Sequence, residues 1–223
     1  MRKYIFALIC CVLAVSACEM KDEFRASNVT DLVTAVSDNT LINDYGVSYT
    51  ITGDETDRLW KKQDRLLVVF DVLNRDYDIT LKQYVKSIVQ NPSPASEESA
   101  GGKDPVEIEA SVISGGYVNA QIAYYRSKSS DFLHTISMEY EDQPKENRFN
   151  LYLYHNGNGE NPAQRDKDGL EKVTSLYSFR LSGLLPAGES RMLYITIYEL
   201  TTVSGKQEVS TRTYQLYNQF ITF

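Results

Sequence analysis

The chain is poor in the residues from which catalytic and metal sites are usually made. Its 223 residues include 2 His, 3 Cys and 1 Trp. The cysteines stand at 10, 11 and 18, all in the first eighteen residues, so the rest of the chain has no disulfide framework. With His134 and His155 as the histidines and no thiol beyond position 18, a zinc site lacks ligands, and no metal or other cofactor is expected. His134 is in phase with Phe132, Ile136 and Met138, and His155 with Phe149, Leu151 and Leu153, so both read as core-edge histidines. No Gly-x-Ser-x-Gly elbow occurs, and a Ser/His/Asp triad would have to draw on those two strand residues. Gly157-Asn158-Gly159 follows a strand pattern but opens no helix, which makes it a turn and not a dinucleotide fingerprint. The 30 acidic residues offer many carboxylate pairs, but no motif selects one, and no enzyme is expected. An excess of positive charge is also missing. The formal net charge is −7, and falls to −9 without Arg2 and Lys3, whereas nucleic-acid binding needs clustered Lys and Arg. Beyond the amino terminus no run of about 20 apolar residues is left to span a bilayer.

What is present begins at the amino terminus. Arg2 and Lys3 precede an apolar run of about a dozen residues, 4–15, too short to cross a bilayer and followed by small residues, as in a secretory signal peptide. The exit, Val15-Ser16-Ala17-Cys18, looks like a bacterial lipobox, with Val15 where Leu is usual. That likeness implies cleavage after residue 17, diacylation of the Cys18 thiol and acylation of the new amino terminus. More than one acyl chain anchors stably where a single chain binds marginally. Residues 1–17 are therefore assigned to the signal peptide and 18–27 to a lipidated tether. Within the tether, Lys21-Asp22-Glu23 is similar to the surface-export signal of some Gram-negative lipoproteins. The expected address is the cell envelope, as an outer-membrane lipoprotein exposed at the cell surface, with the membrane as a partner through the N-terminal lipid.

Period-two patterning dominates the remainder. Val29, Leu32, Val33 and Val36 open a first strand. Residues 47–52 alternate. Residues 66–70 form a continuous apolar run that reads as a strand buried on both faces, and 77–89 carry a further β-branched segment. Asp44-Tyr45-Gly46 and Asn74-Arg75-Asp76 supply turns. These short strands predict a small barrel or meander over 28–90. Residues 91–104, with Pro92, Pro94, Gly101 and Gly102, lack periodicity and read as a linker. From 105 to 223, seven alternating segments (106–113, 117–126, 132–140, 148–155, 173–181, 192–200 and 209–217) have the number and spacing of an antiparallel β-sandwich. Gly115-Gly116 marks a hairpin.

The lipobox, the Arg58-Leu59-Trp60 corner, the strand from Arg65 to Leu73, the run Tyr84-Val85-Lys86-Ser87-Ile88, the Asp104-Pro105-Val106 lead-in and the Leu153-Tyr154-His155-Asn156 strand end occur in an order that resembles the NigD-like bacterial lipoproteins. None of these is a catalytic signature. The resemblance implies an all-β chain in which a small N-terminal OB-like barrel precedes a C-terminal antiparallel sandwich of about seven strands. It also implies a role as a bacteriocin immunity protein, with no site residues to carry over.

Tyrosine is the compositional excess, at 16 residues. Alternation places Tyr152 and Tyr154 with Asn150 opposite Phe149, Leu151 and Leu153, and places Tyr194 and Tyr198 opposite Leu193, Ile195 and Ile197. Rings on one sheet face can stack on sugars or bury a protein partner, and they can equally pair across strands to stiffen the sheet. Three roles follow as expectations: a non-catalytic module that binds a protein, a carbohydrate-binding surface lipoprotein of a glycan-uptake system, and a structural subunit that assembles by strand exchange. Asn156, Asn158, Glu160, Asp166, Asp168 and Glu171 crowd one loop, in which Asp166-Lys167-Asp168-Gly169 imitates part of a calcium loop. The full spacing of an EF-hand is absent, and the stretch reads as an ordinary polar loop.

Overall fold

Local side-chain turns set the path of the first five strands. The structure, a computed structural model, describes residues 24–96, 102–128, 133–160, 169–184, 191–203 and 206–216. The signal peptide, Cys18, Lys21-Asp22-Glu23, Asp166 and Asp168 lie outside the described residues. Strand β1 (Ala26–Ala35) leads to β2 (Thr40–Asn43), β3 (Ser48–Asp54), β4 (Arg65–Val72) and β5 (Asp78–Lys86). Between β2 and β3 the Asn43 side-chain oxygen accepts the Tyr45 and Val47 N–H groups, and between β4 and β5 Asn74 does the same for Asp76 and Asp78. The strands close into a barrel in the order β1-β2-β3-β5-β4, with β3 and β5 parallel. This is the OB-like barrel expected. Val33, Leu41, Leu66, Val68, Phe70, Ile79 and Leu81 fill it, each fully buried, and Tyr49 packs on Phe70 at 4.8 Å between ring centres. The 66–70 run is not buried equally on both faces. Leu66, Val68 and Phe70 point inward, while Leu67 and Val69 on the outer wall are half-buried.

The second body is a sandwich of two sheets. Its strands are β6 (Ile88–Gln90), β7 (Ser93–Pro94), β8 (Glu107–Ser114), β9 (Tyr117–Ser127), β10 (Thr135–Gln143), β11 (Arg148–Asn156), β12 (Leu170–Arg180), β13 (Met192–Val203) and β14 (Lys206–Leu216). One sheet has the order β6-β12-β9-β8, the other β14-β13-β11-β10-β7. The seven segments read from the alternation correspond to β8–β14. The two short strands are additions. Ile88–Gln90, at the end of the stretch assigned to the barrel, pairs in parallel with Tyr177–Phe179, and Ser93-Pro94, inside the proline-rich stretch, pairs in parallel with Glu139-Tyr140. The sequence leaves β5, turns at Ser87 and is already part of the sandwich. β11 and β13 also run parallel, from Arg148 beside Met192 to Tyr152 beside Thr196. Gly115 and Gly116 adopt φ of 58° and 78° in the β8–β9 hairpin, the left-handed pair that such a two-residue turn requires. The sandwich core gathers Val118, Ile122, Phe149, Leu151, Leu153, Phe179, Leu193, Ile195 and Ile197 from both sheets. A single 3-10 turn spans Pro144–Glu146, and among the described residues no helix is long and apolar enough to cross a membrane.

Arg65, at the start of β4, joins the two bodies. Its guanidinium is 2% exposed and donates to both carboxylate oxygens of Asp44, at 2.7 and 2.5 Å. Its Nε donates to Asn119 Oδ1 in β9 at 2.8 Å, and its Cζ lies 4.5 Å from the centre of the Tyr117 ring. Ser178 also donates to Asn119 Oδ1, and Ser87 sits 2.7 Å from Ser178. A charge this deeply buried is tolerable because it is paired and hydrogen-bonded on every side shown. Gly115 presses against the same pair: a Cβ there would collide with the Asp44 carboxylate.

Candidate binding surface

The four tyrosines singled out by alternation lie on the outer face of the five-stranded sheet. Leu151, Leu153, Leu193, Ile195 and Ile197 from the same strands fill the core beneath. Pairing brings Asn150 beside Tyr194 and Tyr152 beside Thr196, so β11 and β13 present one continuous surface. On the other side of β11, Glu139 faces Tyr152 and Glu141 faces Asn150.

This surface is held by its own contacts. Tyr152 Oη donates to Glu141 Oε2 at 2.9 Å, and Asn150 Nδ2 reaches the same oxygen at 3.4 Å. Arg148 Nη2 donates to Asn150 Oδ1 at 3.2 Å, while the guanidinium lies 4.1 Å from the Tyr194 ring centre. Tyr154 and Tyr198 are 6.0 Å apart between centres, with Lys103 at the rim 5.9 Å from the Tyr198 ring. Tyr152, Tyr194 and Tyr198 are half-buried, whereas Tyr154 is 9% exposed and serves more as a base for the patch than as its top. Burial and then the Glu141 carboxylate push the Tyr152 phenol up to about 12, so it stays a neutral donor. The donated Tyr152 hydrogen bond, helped by Gln143, holds the Glu141 carboxyl below the usual carboxylate range. The face therefore offers flat rings, a fixed anion and a stacked cation side by side. Alternation alone revealed the tyrosines and Asn150. Glu141 required the strand pairing.

The two histidines meet elsewhere, near one end of the sandwich. His134 Nδ1 lies 3.0 Å from His155 Nε2, and His134 Nε2 lies 3.0 Å from Glu160 Oε2. Ser127 N–H donates to the same Glu160 oxygen at 2.5 Å. Tyr124 stacks on His134 at 5.1 Å and leans on His155 at 5.0 Å. If Glu160 accepts from His134 Nε2–H, His134 Nδ1 is left to accept from His155 Nε2–H. Such a chain has the form of a proton relay, but it is sealed. His155 and Glu160 are each 2% exposed, and a Cβ at Gly157 would lie 3.2 Å from the His155 ring and 3.4 Å from the His134 ring. Burial, then the neighbouring His134, pushes the His155 imidazole down to about 4, so it is neutral at ordinary pH. Glu160, which the sequence places in a polar loop, is turned inward by this contact. Among the described residues no three of His, Cys, Asp and Glu converge where they could hold a metal ion.

The match to known proteins falls on the sandwich. The sequence model of the NigD-like C-terminal β-sandwich domain matches residues 87–211, more than half of the chain. The chain belongs to the NigD-like family. The match starts at Ser87, the residue at which the backbone passes from barrel to sandwich. Among solved structures, this NigD-like chain is similar to a NigD-like immunity protein from Bacteroides caccae, at 18% identity and a TM-score of 0.61, over 85% of this chain and 98% of that one. It is similar to a protein of unknown function from Bacteroides vulgatus at 18% and 0.61, over 85% and 92%. It is also similar to a proposed lipoprotein from Bacteroides fragilis at 15% and 0.57, over 86% and 97%. At such identities the likeness is one of fold, and it spans both bodies. No curated protein sequence matches the chain.

Proposed function

We propose that this NigD-like protein is a lipid-anchored, non-catalytic binding protein of the cell envelope whose contact face is the outer surface of the five-stranded sheet. The observation that carries the reading is the gathering of Tyr152 and Tyr194 around Glu141, Asn150 and Arg148, with Tyr198 beside Tyr154 further along the same face. Aromatic rings and an arginine at the centre of a patch are the usual anchors of a protein interface. The immunity role of the Bacteroides caccae relative makes a bacteriocin-type protein the first ligand to try. Anchoring rests on Cys18, with Lys21, Asp22 and Glu23 directing the protein to the outer surface.

Two experiments test this. Deleting the gene and challenging cells with the cognate bacteriocin should raise killing, and complementation with Tyr152→Ala/Tyr194→Ala should fail to restore protection. Unchanged killing on deletion would defeat the immunity role. Mass spectrometry of the membrane fraction should find acylated Cys18, and protease shaving of intact cells should remove the protein; an unmodified thiol would remove the anchor. A glycan ligand is the second reading, favoured by the hydrogen-bonding groups Glu141 and Asn150 set beside flat rings. Binding on a glycan array that is lost in the same double variant would establish it.

A further inference from the structure

Each sheet of the sandwich has two edge strands, and three of the four are built in ways that discourage further pairing. β6 is three residues long, and β7 is two residues long and ends in Pro94. β8 carries a bulge between Ile108 and Ala110, where its register against β9 shifts. Short strands, prolines and bulges are the usual means of keeping an edge from pairing with another chain. β14 has none of them. It pairs with β13 from Leu216 beside Leu193 to Lys206 beside Val203 with no shift of register. Among the described residues β13 is its one strand neighbour, so its other side presents an unbroken row of backbone N–H and C=O groups.

The side chains of β14 suit a strand inside a sheet. Thr211 lies beside Tyr198 and Gln215 beside Tyr194, so the odd-numbered residues, Gln207 to Gln215, continue the outer face without a charge. Val209 and the threonines among them favour strands. The charges, Lys206, Glu208 and Arg212, lie on the other face and are exposed. Arg212 reaches Glu199 at 3.4 Å and its side chain is 57% exposed, so the guanidinium has donors left for a second carboxylate. These charges select one way for the edge to pair with itself. In an antiparallel pair centred on Ser210, Glu208 of each copy stands opposite Arg212 of the other, and Val209 stands opposite Thr211. Centred on Val209, Lys206 would meet Arg212, a like-charge pair. Centred on Thr211, Glu208 would meet Tyr214 and Arg212 would meet Ser210. Opposite charges directly across two strands favour a register, and like charges oppose it.

We propose that two copies of this chain pair along β14, antiparallel about Ser210, into one continuous sheet. The pairing is isologous and closes at two copies, because the far edge of each five-stranded sheet is the short β7. Its two-fold axis stands perpendicular to the sheet, so both tyrosine faces lie on the same side. Dimerisation stands apart from whatever those faces bind.

The test uses the chain from residue 18 with Cys18→Ser, which has no other thiol. Sedimentation equilibrium at about 100 µM, a concentration suited to a small interface, should give the mass of two copies. Arg212→Glu and Glu208→Arg should each be monomeric. An equal mixture of the two should recover the dimer, because every facing pair is then Glu with Arg. Oxidation should link most molecules of Ser210→Cys into disulfide dimers. Glu208→Cys, set off from its counterpart by about 13 Å along the strand, should not be linked. A monomer at that concentration overturns the proposal, as does a mass above two copies, a dimer that both charge variants leave unchanged, or a mixture that stays monomeric. Should Arg212→Glu fail to fold, Glu208→Arg and Ser210→Cys decide: a dimer that persists in the first, or no cross-link in the second, overturns the proposal.

Discussion

Two places in this molecule bring together an arginine, a carboxylate, an asparagine and a tyrosine. At the junction of the two bodies these are Arg65, Asp44, Asn119 and Tyr117, with the guanidinium 4.5 Å from the ring centre. On the open sheet face they are Arg148, Glu141, Asn150 and Tyr194, with the corresponding distance 4.1 Å. The chemistry is the same and the surroundings are opposite. Arg65 and Asp44 are 2% and 7% exposed, so each is indispensable to the other. Arg148 is half-buried and Glu141 is exposed, so water can replace much of what either loses. Residue type thus does not tell a buried structural cluster from an open face here. Access to solvent does.

The largest effect that would break this contrast is expected at Arg65. Arg65→Ala leaves Asp44 buried without its partner and should cost about 3–5 kcal/mol in urea unfolding, whereas Arg148→Ala should cost less than about 1 kcal/mol. Pairing Arg65→Met with Asp44→Leu should recover most of the loss, because it removes both charges at once. Equal costs for Arg65→Ala and Arg148→Ala would end the distinction. The sealed histidine comes next. The folded chain keeps His155 neutral down to about pH 4, while an unfolded chain takes up the proton near 6.5. Stability from this group is full above pH 6.5 and should fall by up to about 3 kcal/mol as pH drops to 4. His155→Phe should lose that part of the slope, seen as a smaller difference between unfolding curves at pH 7 and pH 4.5. A third, smaller effect is Gly115→Ala, which meets both a φ of 58° and the Asp44 carboxylate, at a cost of about 2 kcal/mol. Smaller again in stability is Tyr152→Ala/Tyr194→Ala, expected to cost about 1 kcal/mol while lowering affinity for the ligand at least about tenfold. A large loss of stability with unchanged binding would make the open face a stiffener and nothing more.

The strands of the sandwich were legible because each alternates over eight residues or more with one face in a core, as in Phe149, Leu151 and Leu153. The tyrosine face followed from the same alternation. The short strands were not legible. Ile88–Gln90 has three residues, and its partner, Tyr177–Phe179, is far away in the sequence, so nothing local distinguishes it from the end of the preceding strand. Pro92 and Pro94 in the adjoining stretch also argue against pairing, and Ser93-Pro94 is accommodated as a two-residue edge. Arg65 opens a hydrophobic run and reads as its solvated end, since isolated arginines are seldom fully buried. Its counterparts Asp44 and Asn119 come from a turn and a strand of different bodies. Glu160 lies in a glycine-rich polar stretch that reads as a loop, and its inward turn to His134 follows from the fold alone.

The short strand Ile88–Gln90 also bears on the order in which the chain can acquire its shape. All five barrel strands have been synthesised by residue 86, and the barrel can close on its own hydrogen bonds. Ser87, however, bonds to Ser178 and to the carbonyl of Leu176, 89 residues further on. Until the ribosome has delivered that far strand, Ile88 and Val89 remain an unpaired sticky edge on a finished barrel. Contacts of such long sequence separation slow folding, and an early product with an open edge is a natural client for a chaperone.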